Sequence, residues 1–387
     1  MWLGDSDSNR DCTAPKAGGL PITPSPIIWA GSSLARRHEP LVGQSSAYLR
    51  LRKLRYRRDM ALSAPTIAPA SPAPPAAAEI GDGGKAIYGK TKGFAEQLVL
   101  YIFVIVPFLA LLAAVPFMWG WGLGWLDVAL MVGMFALSGH GITVGFHRHF
   151  THGSFKAVAP LRAALVVAGS MAIQGPVTQW VADHRRHHAF SDREGDPHSP
   201  WRYGKTIPAL VKGLFHAHIG WLFDRNQTNP ARYAPDLLKD SVVRRTGAWF
   251  ILWAFLGLAL PALLGGLLTM SWIGALSGFF WGGLVRVALL HHVTWSINSI
   301  CHTVGARPFA ARDKSANVWP LAILSMGESW HNLHHADPTC ARHGVLPGQL
   351  DSSARLIWLF ERFGWVRDVR WPDPVRLAAK RVAPSRS

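Results

Sequence analysis

Acidic residues are scarce in this chain of 387 residues: 23 Asp and Glu stand against 40 Lys and Arg, a formal net charge of +17. Charge of either sign is low, at 16% of residues, where soluble domains carry roughly 25%. Cysteine is nearly absent. Cys12, Cys301 and Cys340 form no Cys-x-x-Cys pair, which argues against a disulfide framework and a thiolate zinc site. The chain has no flavin or nicotinamide fingerprint, no His-Pro-Gly-Gly haem motif and no nucleic-acid module. No apolar stretch with a cleavage site opens it, so no signal peptide is expected. What is there is apolar: 49% of residues are hydrophobic, with 18 Trp and 18 Phe, and mean hydropathy is positive. This composition predicts a membrane protein with a sizeable water-facing part. The excess of Arg and Lys flanks apolar runs, which points to anionic lipid or a phosphorylated substrate.

Residues 1–90 read as a disordered N-terminal segment rich in Pro, Ala, Ser and Gly. It carries a basic burst, Arg50–Arg58, and a Pro/Ala/Ser linker, Ala64–Ala78, that cannot bury a core. Met60 follows the burst, and a chain starting there is expected to work like the full one. Residues 91–375 read as a membrane domain and 376–387 as a basic tail. A helix crosses a bilayer with about 20 mainly apolar residues. Four runs qualify, at about 98–118, 128–146, 247–268 and 272–292. The turns joining the first pair and the second pair are short and lack Lys and Arg, whereas 148–245 and the tail after His302 are rich in Arg. The positive-inside rule then puts both termini and the large middle loop in the cytoplasm. Trp119, Trp121, Trp125 and Trp272 would mark the outer interface. In a bacterial cell the membrane would be the inner one. A fifth apolar run, Ala163–Val181, is expected to lie on or dip into the inner face as a helix.

Nine histidines dominate the water-facing part: His147 and His152; His184, His187 and His188; His331, His334 and His335; and the outlier His302. Neutral imidazole is the commonest ligand for transition metals. On an α-helix, residues at i, i+3 and i+4 share a face, so each of the last two boxes is expected to present three imidazoles to one cavity. His147 and His152 are about 140° apart on an α-helix; they would reach different ions, or the helix ends between them. Asn298, one turn before His302, can hold a water that completes a coordination sphere. The set is nitrogen-rich and lacks the Glu-x-x-His pairs of soluble di-iron bundles. Nine imidazoles suit two ions with open positions, which suggests iron and dioxygen. Spacing alone leaves zinc and manganese open.

The boxes also carry a resemblance. Gly-Ile-Thr-Val-Gly-Phe-His147-Arg-His-Phe-Thr-His152, Trp180-Val-Ala-Asp-His184-Arg-Arg-His-His188, Gly195-Asp-Pro-His198, Thr294-Trp-Ser-Ile-Asn298-Ser-Ile-Cys-His302 and Gly327-Glu-Ser-Trp-His331-Asn-Leu-His-His335 resemble the membrane-bound acyl-CoA desaturases of the stearoyl-CoA Δ9 type. The likeness runs from about residue 95 to 370. It implies an all-α membrane fold of four transmembrane helices under a cytoplasmic helical cap. It implies two non-haem irons on the nine histidines, with Asn298 acting through water and O2 as co-substrate. It implies a kinked tunnel, with Gln174 and Trp295 near the thioester, Trp180 and Thr294 at the kink, and Phe135 and Gly139 near the methyl end. Asp183 stands where animal members have the Asp of an Arg-Asp pair, and Ala182 replaces the Arg.

The implied reaction inserts a cis double bond, at Δ9, into a saturated long-chain acyl-CoA. The same chemistry on a lipid-bound chain, hydroxylation, and a His-lined metal transporter are the competing readings. Transport would put ionisable groups near mid-membrane, and these boxes sit at one face. Electrons must come from a separate protein, of cytochrome b5, ferredoxin or flavin-reductase type. An acidic donor would suit the basic cytoplasmic face. Arg185, Arg186, Arg193, Arg202, Lys205 and Arg225 are candidates for CoA phosphates. His140, His149, His216, His291, His292 and His343 are expected to pack or hydrogen-bond, and His198 and His218 to support the site. Arg286, inside a predicted span, is expected to snorkel or to pair with an acid or a phosphate.

Overall fold

The computed structural model describes residues 86–118 and 122–382, all within the compact unit Glu79–Ser387. The basic burst, the Pro/Ala/Ser linker, Met60, Trp119 and Trp121 lie outside the described residues.

Four helices are long and apolar enough to cross a membrane: α1 (Phe94–Met118), α2 (Trp125–Thr151), α6 (Phe250–Thr269) and α7 (Trp272–His302). Their apolar windows differ in packing. Half of each window is buried in α2 and α7, against 22% in α1 and α6. The inner pair, α2 and α7, therefore has protein on much of its surface, and α1 and α6 present side chains such as Leu109, Leu112, Phe255 and Leu263 outward. Trp125 and Trp272 are exposed at the starts of α2 and α7.

Both inner helices outrun the expected spans 128–146 and 272–292. Hydropathy falls where polar residues begin, but the helices continue and carry His147, Asn298 and His302 toward the cap. The apolar run 163–181 is also not one helix. It divides into α3 (Ala159–Ser170) and α4 (Val177–Phe190). Between them the backbone turns through left-handed conformations at Ile173 and Gly175 before Pro176. Proline disfavours α geometry in the residue before it, which explains the break. α3 packs directly on α2: a Cβ on Gly141 would meet the Gly169 backbone nitrogen at 2.2 Å, so only glycine permits that approach.

The cap holds α5 (Ile207–His218), α8 (His331–Ala336) and α9 (Ser352–Arg362) with long connecting segments. Strand β1 (Tyr88–Thr91) pairs antiparallel with β2 (Asn226–Thr228), with Tyr88 opposite Thr228 and Thr91 opposite Asn226. The boundary expected at residue 90 thus falls inside a strand. The basic tail also has structure through residue 382: Pro374–Lys380 is helical, and Val382 donates its amide to the Pro308 carbonyl.

Arg286, expected to snorkel or to pair with an acid or a phosphate, does not snorkel. Its guanidinium is fully buried. It donates to the carbonyls of Gly282, Met171 and Gly257 and to Ser138 Oγ. This ties α2, α6, α7 and the α3–α4 turn together through three backbone oxygens and one hydroxyl, with no acidic partner among the described residues.

Candidate metal centre

The end of α2 is wound as a π-helix, Gly141–Thr151. Hydrogen bonds there run from i+5 to i, and the His152 amide bonds the His147 carbonyl at 3.2 Å. That winding brings residues five apart to one side. The His147 and His152 rings lie 4.9 Å apart, so the 140° separation of an α-helix does not apply and the two join one site.

The nine imidazoles form two clusters. His147, His152, His184, His188 and His334 make the first, and His187, His302, His331 and His335 the second; within each, the ligand nitrogens all lie within 4.8 Å of one another. Neither α4 nor α8 sends its three histidines to one cavity. The i, i+4 pairs stay together, His184 with His188 and His331 with His335, while His187 and His334 cross to the other cluster. The physical reason is angular. Residues four apart sit 40° from register and those three apart 60° the other way, so a helix wedged between the two clusters divides the triplet.

The nitrogens are arranged for cations. His302 and His335 give Nδ1–H to the carboxylates of Asp192 and Asp313, which leaves each Nε2 a bare acceptor. Both bare nitrogens point at His331 Nε2, each at 3.0 Å. One ring nitrogen holds at most one proton, so at least one lone pair faces another unless a positive ion sits between. In the first cluster His334 Nε2 lies 3.1 Å from His147 Nε2 and 3.0 Å from His188 Nε2. His152 Nε2 and His187 Nε2 are buried without a hydrogen-bond partner among the described residues. Such groups are costly to bury unless coordinated.

Burial, and then the neighbouring imidazoles, hold His184, His188, His334 and His335 well below the ordinary histidine pKa. The neutral form that binds metal is therefore the stable one. Asp196 and Glu328 are ionised at neutral pH. Burial opposes this, but His187 for Asp196 and Arg148 with His147 for Glu328 outweigh it.

Sequence reasoning missed these acids as site residues. Asp196 accepts from His187 at 3.0 Å and Glu328 from His147 at 2.7 Å. A carboxylate within eight residues of a His box was the available signal, Asp196 after the second box and Glu328 before the third, since ligating histidines usually give their second N–H to one. His343, expected to pack or hydrogen-bond, does both. It is buried, 4.6 Å ring to ring from His334 and 3.1 Å from Glu328. His149 stays out of both clusters and bonds the Phe155 carbonyl.

A cavity of about 730 Å3 runs along the clusters, lined by His147, His184 and His331 and by Asn298. Gln174, Trp180, Asp183, Thr294 and Trp295 also line it. Three of them form one chain: Trp180 Nε1 donates to Gln174, and Gln174 Nε2 donates to Thr294 at 2.9 Å. Trp180 stacks on His184 with ring centres 5.1 Å apart. Gly139 lines the same cavity with Ile142, Thr143, Leu290 and Met326, and Phe135 instead packs against the core. The other end is polar, with Lys90, Lys92, Arg186, Arg202 and Arg225 beside Asp183 and Asp224. Arg185 serves elsewhere, clamping the end of α2 through the Phe150 and Thr151 carbonyls and pairing with Asp236. Arg193 and Lys205 do not line the cavity.

The family model for fatty acid desaturases matches residues 119–345. The chain belongs to the fatty acid desaturase family. Among curated relatives, this desaturase is 40% identical to a hex-5-enoyl-[acyl-carrier protein] acetylenase of Moorena producens (strain JHB), over 73% of this chain and 88% of the relative. It is 36% identical to Delta-9 acyl-lipid desaturase 1 of Arabidopsis thaliana, over 76% and 90%. It is 35% identical to an acyl-CoA 5-desaturase of Anemone leveillei, over 72% and 81%. The desaturase is thus an oxidoreductase of fatty acyl groups. The relatives carry their acyl chains on protein, lipid or CoA.

Proposed function

We propose that this desaturase inserts a cis double bond at Δ9 of a saturated long-chain acyl-CoA, at two irons held by the nine histidines. The observation that carries the reading is the convergence of two nitrogen clusters on one side of a long, mainly apolar cavity with a cationic mouth. The overall change removes two hydrogens from adjacent methylenes. With two electrons and two protons from outside, O2 leaves as two waters. Iron, when bound, supplies the oxidant that an unactivated C–H bond requires, which no side chain can supply.

The chain's own residues position and shield. The apolar walls exclude water from the acyl chain, and the Trp180–Gln174–Thr294 chain fixes the wall beside His184. Position is what selects one carbon pair among many alike. Asn298 holds a water toward the second cluster. Lys92, Arg186, Arg202 and Arg225 favour a carrier rich in phosphate, as CoA is. The active site and both termini face the cytoplasm, and a separate acidic donor protein supplies the electrons.

Purified protein supplied with iron, O2, a ferredoxin or cytochrome b5 system and stearoyl-CoA, stearoyl-acyl-carrier protein or stearoyl-phosphatidylcholine tests this. A Δ9 product from the CoA ester first and fastest is expected. Product from only the lipid or the carrier protein would overturn the choice of carrier, and a double bond elsewhere the choice of position.

A further inference from the structure

The two clusters differ in what stands behind the imidazoles. In the second, three of four rings rest on a carboxylate: His187 on Asp196 at 3.0 Å, His302 on Asp192 at 3.0 Å and His335 on Asp313 at 2.6 Å. These acids are well buried. Their further hydrogen bonds come from neutral donors: the backbone amides of Asp192 and His198 to Asp196, of Lys314 to Asp192 and of Ser315 to Asp313, and the Ser199 hydroxyl to Asp192. No Lys or Arg forms an ion pair with any of them among the described residues.

The first cluster has one such acid for five rings. Glu328 takes His147, but it also holds the Arg148 guanidinium at 3.0 Å and His343 at 3.1 Å. Arg148 is shared with the buried Asp351, also at 3.0 Å, so Glu328, Asp351 and Arg148 together carry one net negative charge. His334 Nδ1 is buried with no hydrogen-bond partner among the described residues.

Net charge and hydrogen bonding around an ion set its reduction potential, and a carboxylate behind a ligating histidine raises that ligand's basicity. Three anions without a Lys or Arg ion pair favour the more highly charged ion more strongly than the single net negative charge of Glu328, Asp351 and Arg148 does. We propose that the two metal sites are redox-inequivalent, with the site of His187, His302, His331 and His335 holding the ferric state preferentially because Asp192, Asp196 and Asp313 stand behind it. The proposal rests on the reading that both sites hold iron. It makes these three acids positioning residues that also tune charge. The first site, backed by Glu328 and Arg148, is then the one that stays ferrous longest. When a single electron is removed or supplied, its place is decided by these acids.

The test uses the full chain in detergent, loaded with 57Fe(II) and counted for iron. Half an equivalent of ferricyanide per iron is added; each ferricyanide takes one electron from one Fe(II), giving Fe(III) and ferrocyanide. Mössbauer spectra should show two ferrous doublets, one of which is oxidised at least about tenfold in preference to the other, equivalent to about 59 mV. Asp313→Asn or Asp192→Asn should shift the doublet that is oxidised first and reduce that preference. Glu328→Gln should shift the other. The two aspartate variants serve one site, so one that folds suffices, and the wild-type spectrum needs neither. Two irons oxidised together, or a first-oxidised doublet that follows Glu328→Gln, would overturn the proposal alone. Failure to take up two irons would overturn the iron reading and the proposal with it.

Discussion

The side chain of Met326 occupies the space that any side chain at position 139 would need. A Cβ on Gly139 would meet Met326 Cε at 2.2 Å and Sδ at 2.8 Å. Both residues line the cavity, and Met326 holds a left-handed backbone, φ 56°, which is uncommon for a side chain of this size. The cavity wall thus includes a glycine–methionine contact between α2 and the loop before α8.

Chain length should follow from that contact. Gly139→Tyr displaces Met326 into the cavity, with overpacking of about 1–3 kcal/mol, and should shift products toward shorter acyl chains at unchanged double-bond position. Met326→Ala should extend the range toward longer chains. Gas chromatography of products from each variant reads both effects. An unchanged profile in stable, active variants would move the tunnel end elsewhere.

The division of the histidines predicts separable metal losses. His334→Ala should cost the first site and His187→Ala the second, each leaving about one ion where wild type holds two. Both variants should abolish desaturation and remain in the membrane. Metal analysis of purified protein checks this, and loss of both ions in each variant would contradict two distinct sites.

Acid should destabilise the metal-free protein in a stated window. The folded pKa values of His184, His188, His334 and His335 lie well below 6.5, chiefly through burial. His218 is pushed down to about 4 by burial and His292. The unfolded chain then binds more protons below pH 6.5, so stability falls as pH drops through that value. The carboxylates Asp196 and Glu328, held low, add to the loss below their ordinary range. Tm of the metal-free protein should fall by on the order of 10 °C from pH 7 to pH 5. A flat profile would contradict neutral, desolvated imidazoles.

Arg286 should matter for the fold and not for the chemistry. Replacing it with Leu leaves the Gly257, Met171 and Gly282 carbonyls without this donor, at a cost of at least about 2 kcal/mol. Thermal melts in detergent should show the loss, while the double-bond position in surviving protein stays the same.

The sequence made the four spans legible because lipid-facing helices must be apolar over their whole length. It made the nine histidines legible because few other roles gather so many imidazoles. Their partition was not legible. Spacing in an α-helix says which residues share a face, but the π-winding of 141–151 and the position of α4 between the two histidine clusters decide which nitrogen goes where. The break between α3 and α4 was written in Gly175-Pro176, and the apolar run around it masked the signal. Asp192, Asp196, Asp313 and Glu328 were each near a box or its partner loop, which marks them as candidate partners of a ring, but which ring each serves is not legible until the rings are placed. Met326 carried no signal at all, because its role depends on the glycine it faces across the fold.

Iron K-edge anomalous diffraction from crystals of the iron-loaded protein tests the central claim most directly. The account predicts two peaks of similar height, one at bonding distance from nitrogens of His147, His152, His184, His188 and His334, the other from those of His187, His302, His331 and His335. A single peak, or a peak bound outside these nine residues, would contradict it.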